Sequence, residues 1–365
     1  MKIIWFTWKD KKNPAAGGAE VVNDELAKRL IGNGHEVVFL VSGFPNAGSK
    51  ETINGYQVIR VGNRFTVYQK AKKYYQKYLS DWADLIIEEV NTIPFFTQNY
   101  IKKEKQILIF HQLCREIWWY QIFFPLNLIG YLIEPIYLRL MNKNKVITIS
   151  KSSKNDLKKY NFSDIKIIPM GTNIKPVQNL NFEKFMRPTI LSLGDIRPMK
   201  RTLDIITAFE YAKSIIPDLQ LKIAGSSQSK YGKKVLQKIK NSKFTKDIEY
   251  LGTVDKIQKT KLMQSCHLIV VTSVKEGWGL IISEAASQGT PAVVYNVDGL
   301  RDSVGYGETG FLCKKNNPKE LSQEIVFALS NKEVYKQKQK KAYKESKKLT
   351  FDNSYCKIEK IVSNG

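Results

Sequence analysis

Two glutamates on either side of a glycine-rich turn form the segment of this chain best suited to chemistry. Residues 275–284 read Lys-Glu-Gly-Trp-Gly-Leu-Ile-Ile-Ser-Glu, with carboxylates at Glu276 and Glu284. The apolar run at residues 268–271 predicts a buried strand before the turn, and residues 280–288 predict a helix after it. Unpaired N–H groups at a helix start attract phosphate without a metal ion, because the helix dipole also favours an anion there. The pattern therefore suits a sugar nucleotide, with one carboxylate accepting from a hexose and the other from a ribose. Glutamates that are merely solvated are the alternative.

Further motifs along the chain resemble those of the retaining glycosyltransferases of family four. Besides the glutamate segment, the resemblance rests on short motifs in the family's order, which are Gly17-Gly18-Ala19-Glu20, Pro169-Met170-Gly171-Thr172-Asn173, Leu191-Ser192-Leu193-Gly194 followed by Lys200, Gly289-Thr290-Pro291 and Gly307-Glu308-Thr309-Gly310. The second of these is similar to the motif that joins the family's two domains, with three substitutions. The resemblance covers nearly the whole chain. It implies an α/β protein of the GT-B fold, in which two Rossmann-like domains face each other across a deep cleft.

The same resemblance implies which groups stabilise the leaving diphosphate. Arg197 and Lys200 follow the predicted strand that ends at Gly194, and a guanidinium with an ammonium can share the leaving charge. Family members usually place an arginine directly after this glycine, where the present chain has Asp195. We expect Arg197 to replace that arginine from two residues further on. A surface salt bridge between Arg197 and Asp195 is the alternative.

The predicted donor-binding residues lie at a helix start, in the glycine turn or at the carboxyl end of a strand, and they are Gly18, Gly277, Trp278, Gly279, Leu280, Glu284, Gly225 and Leu251. The N–H groups of the turn are expected to bind phosphate or sugar hydroxyls, and glycine allows the close approach. The resemblance implies that Glu276 contacts the transferred sugar and that Glu284 binds the ribose hydroxyls. Gly225 and Leu251 are expected near the base, because an open parallel sheet binds ligand at the carboxyl ends of its strands.

His111 follows the predicted strand at residues 107–110 and resembles the family's sugar-contacting histidine. A structural histidine is the alternative. Together with Cys114 it could suggest a metal site, but two ligands without further clustered histidine or cysteine make a poor zinc site. The chain also contains no Asp-x-Asp motif for a metal-bound diphosphate. We therefore predict no metal and no cofactor, with a UDP- or GDP-sugar as the donor substrate.

The length of 365 residues fits two domains of ordinary size. Apolar runs alternate with helical patterns in both halves, which predicts parallel sheets with right-handed crossovers. We expect an acceptor-binding domain at residues 1–175 and a nucleotide-sugar-binding domain at residues 176–349, because prolines and polar residues interrupt the pattern near residues 172–186. The resemblance implies that a last helix, at residues 350–365, crosses back to the first domain.

The formal net charge of +24 calls for an anionic partner, and membrane lipid and nucleic acid compete for that role. Residues 68–78 interleave lysines with tyrosines on a predicted helix, which suits a lipid interface but could also stack single-stranded nucleic acid. Residues 117–141 are strongly apolar, although Pro125, Glu134, Pro135 and Arg139 interrupt them. This segment is read as a helical pair lining the acceptor cleft, as a partial membrane insertion, or as a true span. We prefer the membrane and expect no nucleic-acid partner.

These patterns together predict an enzyme at the cytoplasmic face of the cell membrane. Four scattered cysteines indicate a reduced protein, and residues 1–10 lack the apolar core of a secretory signal. The predicted reaction moves a hexosyl residue from a nucleoside diphosphate sugar to a lipid-linked or glycan acceptor, with retention implied by the resemblance alone. Two alternatives stay open. One is a sugar-nucleotide epimerase with the same fold, and the other is a non-catalytic protein that binds membrane or nucleic acid.

Overall fold

The computed structural model describes residues 1–102, 105–180 and 183–363. Residues 181–182 of the predicted domain boundary and residues 364–365 of the predicted last helix lie outside these ranges. The chain divides into two compact units. The first comprises Met1–Trp118, Phe124–Gly171 and Thr350–Gly365, and the second comprises Trp119–Phe123 and Thr172–Leu349.

The first unit contains an eight-stranded sheet in the order β3-β4-β2-β1-β5-β6-β7-β8. Its strands are β1 (Lys2–Phe6), β2 (Glu36–Val41), β3 (Lys50–Ile53), β4 (Tyr56–Arg60), β5 (Leu85–Glu89), β6 (Gln106–Phe110), β7 (Lys145–Thr148) and β8 (Ile165–Ile167). Every neighbouring pair is parallel except β3 and β4. The central strands are buried on both faces, which explains why they read as continuous apolar runs in the sequence.

The antiparallel pair β3–β4 departs from the all-parallel sheet that the alternating pattern predicts. The two strands are joined at Asn54 and Gly55, which both have positive φ. Asn-Gly is the preferred pair for a tight hairpin turn, because both residues tolerate that conformation. The strand β3 lies at the sheet edge and contains three polar residues followed by one isoleucine, so it lacks the apolar run by which the other strands are recognised.

Among the described residues, the α-helices before the second sheet are α1 (Gly18–Gly32), α2 (Val67–Tyr78), α3 (Trp118–Gln121), α4 (Leu126–Met141) and α5 (Lys151–Lys158). The apolar segment at residues 117–141 thus contains the short α3 and the longer α4. Within the described ranges, no helix has both the length and the apolar character needed to cross a membrane.

The second unit contains a six-stranded parallel sheet in the order β11-β10-β9-β12-β13-β14. Its strands are β9 (Thr189–Leu193), β10 (Gln220–Ala224), β11 (Ile248–Gly252), β12 (Leu268–Val271), β13 (Ala292–Val294) and β14 (Phe311–Leu312). Its helices are α6 (Thr202–Lys213), α7 (Lys230–Lys240), α8 (Lys256–Ser265), α9 (Leu280–Ser287), α10 (Asp298–Ser303), α11 (Pro318–Ser330) and α12 (Lys332–Ser346). Apolar cores cover both faces of this sheet. The prediction of an α/β chain with two largely parallel sheets is confirmed.

The last helix, α13 (Phe351–Val362), belongs to the first unit, where it packs against α1. Arg29 Nε donates to Asp352 Oδ1 at 2.7 Å, and His35 Nε2 lies 3.2 Å from Glu359 Oε1. The chain therefore passes from the first unit through the second and returns to the first at its end.

Candidate active site

The second sheet changes its direction of winding between β9 and β12. From β9 the chain proceeds outward through β10 and β11, and it then returns to the other side of β9 with β12, β13 and β14. The loops that leave β9 and β12 consequently diverge, and the crevice between them is where open α/β sheets bind ligands. Lys200 follows β9 and Glu276 follows β12, so these two of the predicted catalytic residues lie at this switch point.

The structure joins these two side chains directly. Lys200 Nζ donates to Glu276 Oε1, and Ser273 Oγ donates to the same oxygen at 2.8 Å. Thr272 fixes the backbone beside them, because its hydroxyl donates to the carbonyl oxygen of Lys200 at 2.7 Å. Both hydrogen bonds are accepted by Oε1. Glu276 Oε2 accepts no hydrogen bond from any residue that the structure describes. The ammonium and the second carboxylate oxygen are thus available to a ligand at the same point.

Arg197 is placed differently from Lys200. Its guanidinium Nη2 lies 3.9 Å from Asp195 Oδ2, and its side chain is 52% exposed. This distance is longer than a hydrogen bond, so the two residues form only a loose surface ion pair. Such a pair leaves the guanidinium free to move toward an anion. The predicted diphosphate contact of Arg197 stays a prediction.

The glycine turn presents its backbone donors at the start of α9. Gly279 precedes the helix with φ +83°, a conformation that favours glycine, and Leu280 is the first helical residue. The N–H groups of Gly277, Trp278, Gly279 and Leu280 have no acceptor within the described ranges. The indole Nε1 of Trp278 donates to Ser283 Oγ at 2.9 Å, which holds this side chain against the first turn of α9. The arrangement provides the unpaired donors that a phosphate requires.

Glu284 has a partner that the sequence analysis missed. Its Oε2 lies 2.6 Å from Lys259 Nζ on α8, and the carboxylate is largely buried. This pair ties α8 to α9, which gives Glu284 a structural role in addition to its predicted contact with the ribose.

The predicted base-binding residues meet at the carboxyl ends of three neighbouring strands. The Gly225 N–H donates to the carbonyl oxygen of Gly252 at 2.7 Å, directly after Leu251 on β11. Gly225 also approaches the backbone of Gly194 so closely that a Cβ atom built on it would lie 2.0 Å from the Gly194 carbonyl oxygen. Tyr250 also contacts these residues, since its hydroxyl donates to the Gly225 carbonyl oxygen at 2.9 Å.

We expect Gly225→Ala to lower the free energy of unfolding by at least about 2 kcal/mol, because φ of +148° is strained for any other residue and the added carbon meets backbone. Chemical denaturation would measure the change. Gly48→Ala is the matched control, because a Cβ there would lie no closer than 3.6 Å to a neighbouring atom. Equal stability of the two variants would contradict this account of the loop.

In the first unit, the predicted residue His111 lies beside a buried carboxylate, that of Glu89. Gly18 begins α1, and the N–H of the preceding Gly17 donates to Glu20 Oε2 at 2.6 Å. Asn23, further along the same helix, donates to Glu89 Oε2 at the end of β5. His111 follows β6, with Nε2 lying 3.2 Å from Glu89 Oε1. His111 and helix α1 are therefore connected through Glu89, by way of Asn23 in the second turn of the helix.

Glu89 is a residue that the sequence analysis did not single out. Burial by itself would raise its pKa, but the neighbouring His111 ring and hydrogen bonds from Thr7 and Asn23 outweigh burial and hold the pKa at about 2. The carboxylate is therefore ionised throughout the neutral range, and it lies beside the His111 ring. Two consecutive glutamates at the end of an otherwise apolar strand were the signal that could have identified it.

Cys114, three residues after His111, is buried. Burial raises the pKa of the Cys114 thiol, which keeps it protonated. Across residues 1–102, 105–180 and 183–363, no group of three or more histidine, cysteine, aspartate or glutamate side chains could hold a metal ion.

Two family models match the chain, one in each half. The model described as Glycosyltransferase Family 4 matches residues 16–175, and the model described as Glycosyl transferases group 1 matches residues 177–345. Together they account for most of the chain.

Similar proteins and structures agree with these matches. The N-acetyl-alpha-D-glucosaminyl L-malate synthase of Bacillus anthracis is 24% identical over 342 residues, which are 88% of this chain and 87% of that protein. The sucrose-phosphate synthase of Thermosynechococcus elongatus superposes with a TM-score of 0.79 at 19% identity, covering 100% of this chain and 98% of that one. The crystal structure of Anabaena HepE in complex with UDP-glucose gives a TM-score of 0.73 at 18% identity, with 100% of both chains covered.

Proposed function

Since the chain belongs to the glycosyltransferases of family four, which have the GT-B fold, we propose that it transfers a hexosyl residue from a nucleoside diphosphate sugar to an acceptor hydroxyl with retention. The observation that carries this proposal is the Lys200–Glu276 pair at the switch point of the second sheet. A cation, a carboxylate with a free oxygen and unpaired N–H groups lie together there. These groups match the leaving diphosphate and the hydroxyls of a sugar.

The proposed reaction breaks the bond between the anomeric carbon and the β-phosphate oxygen and forms a bond from that carbon to the acceptor oxygen. Negative charge develops on the leaving phosphate, so a preorganised cation beside it lowers the barrier. Lys200 can provide that charge while it still donates to Glu276, because an ammonium has three donors. The leaving phosphate takes the acceptor proton on the same face of the sugar, so Glu276 need not act as a nucleophile.

The donor is proposed to be a UDP- or GDP-sugar that binds without a metal ion. One structural neighbour was crystallised with UDP-glucose, which supports testing UDP-sugars first. The unpaired N–H groups at the start of α9 support direct binding of the diphosphate by the protein.

Incubation with radiolabelled sugar nucleotides, with and without a chelator, tests the reaction. Transfer, or release of free sugar and nucleotide, that persists in chelator supports the proposed enzyme. An isomeric donor as the product would indicate the epimerase, and no turnover with any donor would indicate a binding protein. Activity that chelator abolishes and a divalent ion restores would contradict metal-independent binding.

We further propose that the enzyme works at the cytoplasmic face of the membrane on a lipid-linked or otherwise amphipathic acceptor. Helix α2 supports this location, because its lysines are exposed whereas Val67, Ala71 and Tyr75 on its other side are buried in the core. The exposed lysines are Lys70, Lys72, Lys73 and Lys77. A basic helix surface of this kind is attracted to anionic lipid.

Replacing these four lysines of α2 with glutamine should weaken binding to anionic vesicles, because each basic residue near the leaflet contributes about 1 kcal/mol. Cosedimentation with anionic and neutral vesicles at two salt concentrations measures the effect, which salt should reduce. The matched control replaces four exposed lysines of α7, namely Lys230, Lys233, Lys234 and Lys240. Equal losses in both variants, or equal binding to both vesicle types, would contradict a specific role for α2 and favour a soluble glycan acceptor.

A further inference from the structure

Helix α4 exposes apolar side chains and buries its acidic one, which is the opposite of an ordinary surface helix. Its one acidic side chain, Glu134, is buried, whereas apolar side chains cover the outward side. Leu132 is 59% exposed, Ile136 57% and Leu140 69%, and Ile129 and Ile133 continue the same stripe at helical spacing. An ordinary surface helix buries its apolar stripe and shows polar residues to water. A contiguous apolar surface of this kind marks an interaction site.

The rotation of α4 about its axis is fixed by specific contacts. Glu134 accepts hydrogen bonds from the N–H groups of Cys114 and Arg115, both at 2.7 Å, and from Trp118 Nε1 at 3.0 Å. On the same inner side, Leu138 and Met141 are fully buried in the core. Turning the outer stripe inward would leave a buried network without its carboxylate, so the apolar face is a stable feature of the fold.

The basic helix α2 and the apolar helix α4 cover the same face of the first sheet. Ile86 packs in the core beneath α2, and Leu108 packs in the core beneath α4. Glu88 pairs with Leu108 in register and lies two residues from Ile86 on one strand, so all three side chains point to one face.

One loop connects the two helices on that face. The Phe95 ring lies 5.0 Å from Tyr68 on α2, and the adjacent Phe96 ring lies 6.2 Å from Tyr137 on α4. The lysines of α2 and the apolar stripe of α4 therefore belong to one outer surface.

The apolar stripe of α4 and the lysines of α2 together indicate what binds to this surface. Its apolar part carries one charged exposed residue, Arg139, and its neighbouring part carries the lysines of α2. A second copy of the chain would bring another +24 charges against it, which opposes self-association. An anionic bilayer offers acyl chains to the stripe and headgroup phosphates to the lysines.

We propose that α4 lies in the plane of an anionic phospholipid bilayer with its outer stripe inserted at the boundary between headgroups and acyl chains. This inference rests on the proposed membrane location and adds an inserted helix to the electrostatic attraction of α2. A lipid-linked acceptor would then reach the first unit from within the leaflet rather than from solution.

An environment-sensitive fluorophore on α4 tests the insertion. Among the four cysteines only Cys356 is exposed, so Leu132→Cys in a Cys356→Ser background directs the label to the stripe. The matched control places the same label at Ile257→Cys on α8, where the native side chain is also highly exposed. With vesicles of mixed anionic and neutral phospholipid, we expect a blue-shifted emission for the Leu132→Cys protein and an unchanged emission for the control.

A shift at both positions or at neither would overturn the insertion of α4. So would a shift without vesicles that grows with protein concentration, since it would show that a second copy covers the stripe. As a second measurement, the quadruple variant Ile129→Gln, Ile133→Gln, Ile136→Gln and Leu140→Gln should bind the same vesicles at high salt at least about tenfold more weakly. Unchanged binding of that variant would also overturn the proposal.

The proposed transfer reaction is tested separately. Hydrolysis of the labelled donor in the absence of lipid reports on the donor site without any contribution from membrane binding. If hydrolysis persists in the α4 variant while insertion is lost, the inference about α4 stands with the enzyme intact. If no donor is turned over but the Leu132→Cys label still shifts, the reaction is wrong and the inserted helix is supported.

Discussion

Replacing Lys200 with alanine is expected to lower kcat/KM for sugar transfer by at least about a hundredfold, the usual cost of losing one preorganised electrostatic contact. Lys200 provides the ammonium at the switch point of the second sheet, where it donates to Glu276. If it stabilises charge that develops on the leaving diphosphate, kcat should fall together with kcat/KM. Steady-state kinetics with the wild-type protein measured in parallel would give both constants.

The neighbouring Arg197→Ala variant is the matched comparison, because Arg197 also follows β9 but pairs only loosely with Asp195. A loss comparable to that of Lys200→Ala would mean that Arg197 moves onto the diphosphate and replaces the family arginine. An intact rate would assign it to the surface ion pair. Near-wild-type kinetics of Lys200→Ala itself would remove this lysine from the catalytic site, whatever Arg197 does.

The sequence predicted both members of the Lys200–Glu276 pair but not their contact. The two residues are 76 positions apart, and they meet because β9 and β12 are neighbours in the sheet. Strand order depends on how whole elements pack, and no local pattern in the sequence encodes it. The glycine turn was easier to predict, because its conformation and its unpaired donors are local properties of the strand–turn–helix segment.

The residues of the first unit that the sequence did not reveal are buried charged side chains. Glu88 and Glu89 end β5, in which only the three preceding residues form an apolar run. Glu88 is stable inside because it accepts from the N–H groups of Phe95 and Thr97, at 2.6 and 3.0 Å. These partners come from a loop that no sequence period identifies. For α4, similarly, periodicity shows that the helix has two faces but not that the apolar one points outward.

The second prediction with a large expected effect distinguishes the roles of Glu276 and Glu284. If the free oxygen of Glu276 contacts the transferred sugar, Glu276→Gln should lower kcat by about a hundredfold and leave the affinity for the sugar-free nucleoside diphosphate nearly unchanged. Glu284→Gln should weaken binding of that same nucleotide by about tenfold or more, as expected for one hydrogen bond to a charged group. Calorimetric titration with the nucleoside diphosphate and steady-state kinetics would distinguish the two effects.

Lys259→Gln decides whether Glu284 acts on the ligand or only on the fold. This variant removes the ion pair between α8 and α9 but leaves the carboxylate in place. If Glu284 binds the ribose, Lys259→Gln should retain most of the nucleotide affinity that Glu284→Gln loses. If the carboxylate only ties the helices together, both variants should lower thermal stability alike and bind the nucleotide like the wild type. Equal loss of nucleotide affinity in Glu276→Gln and Glu284→Gln would contradict the division of roles, because both carboxylates would then contact the same part of the donor.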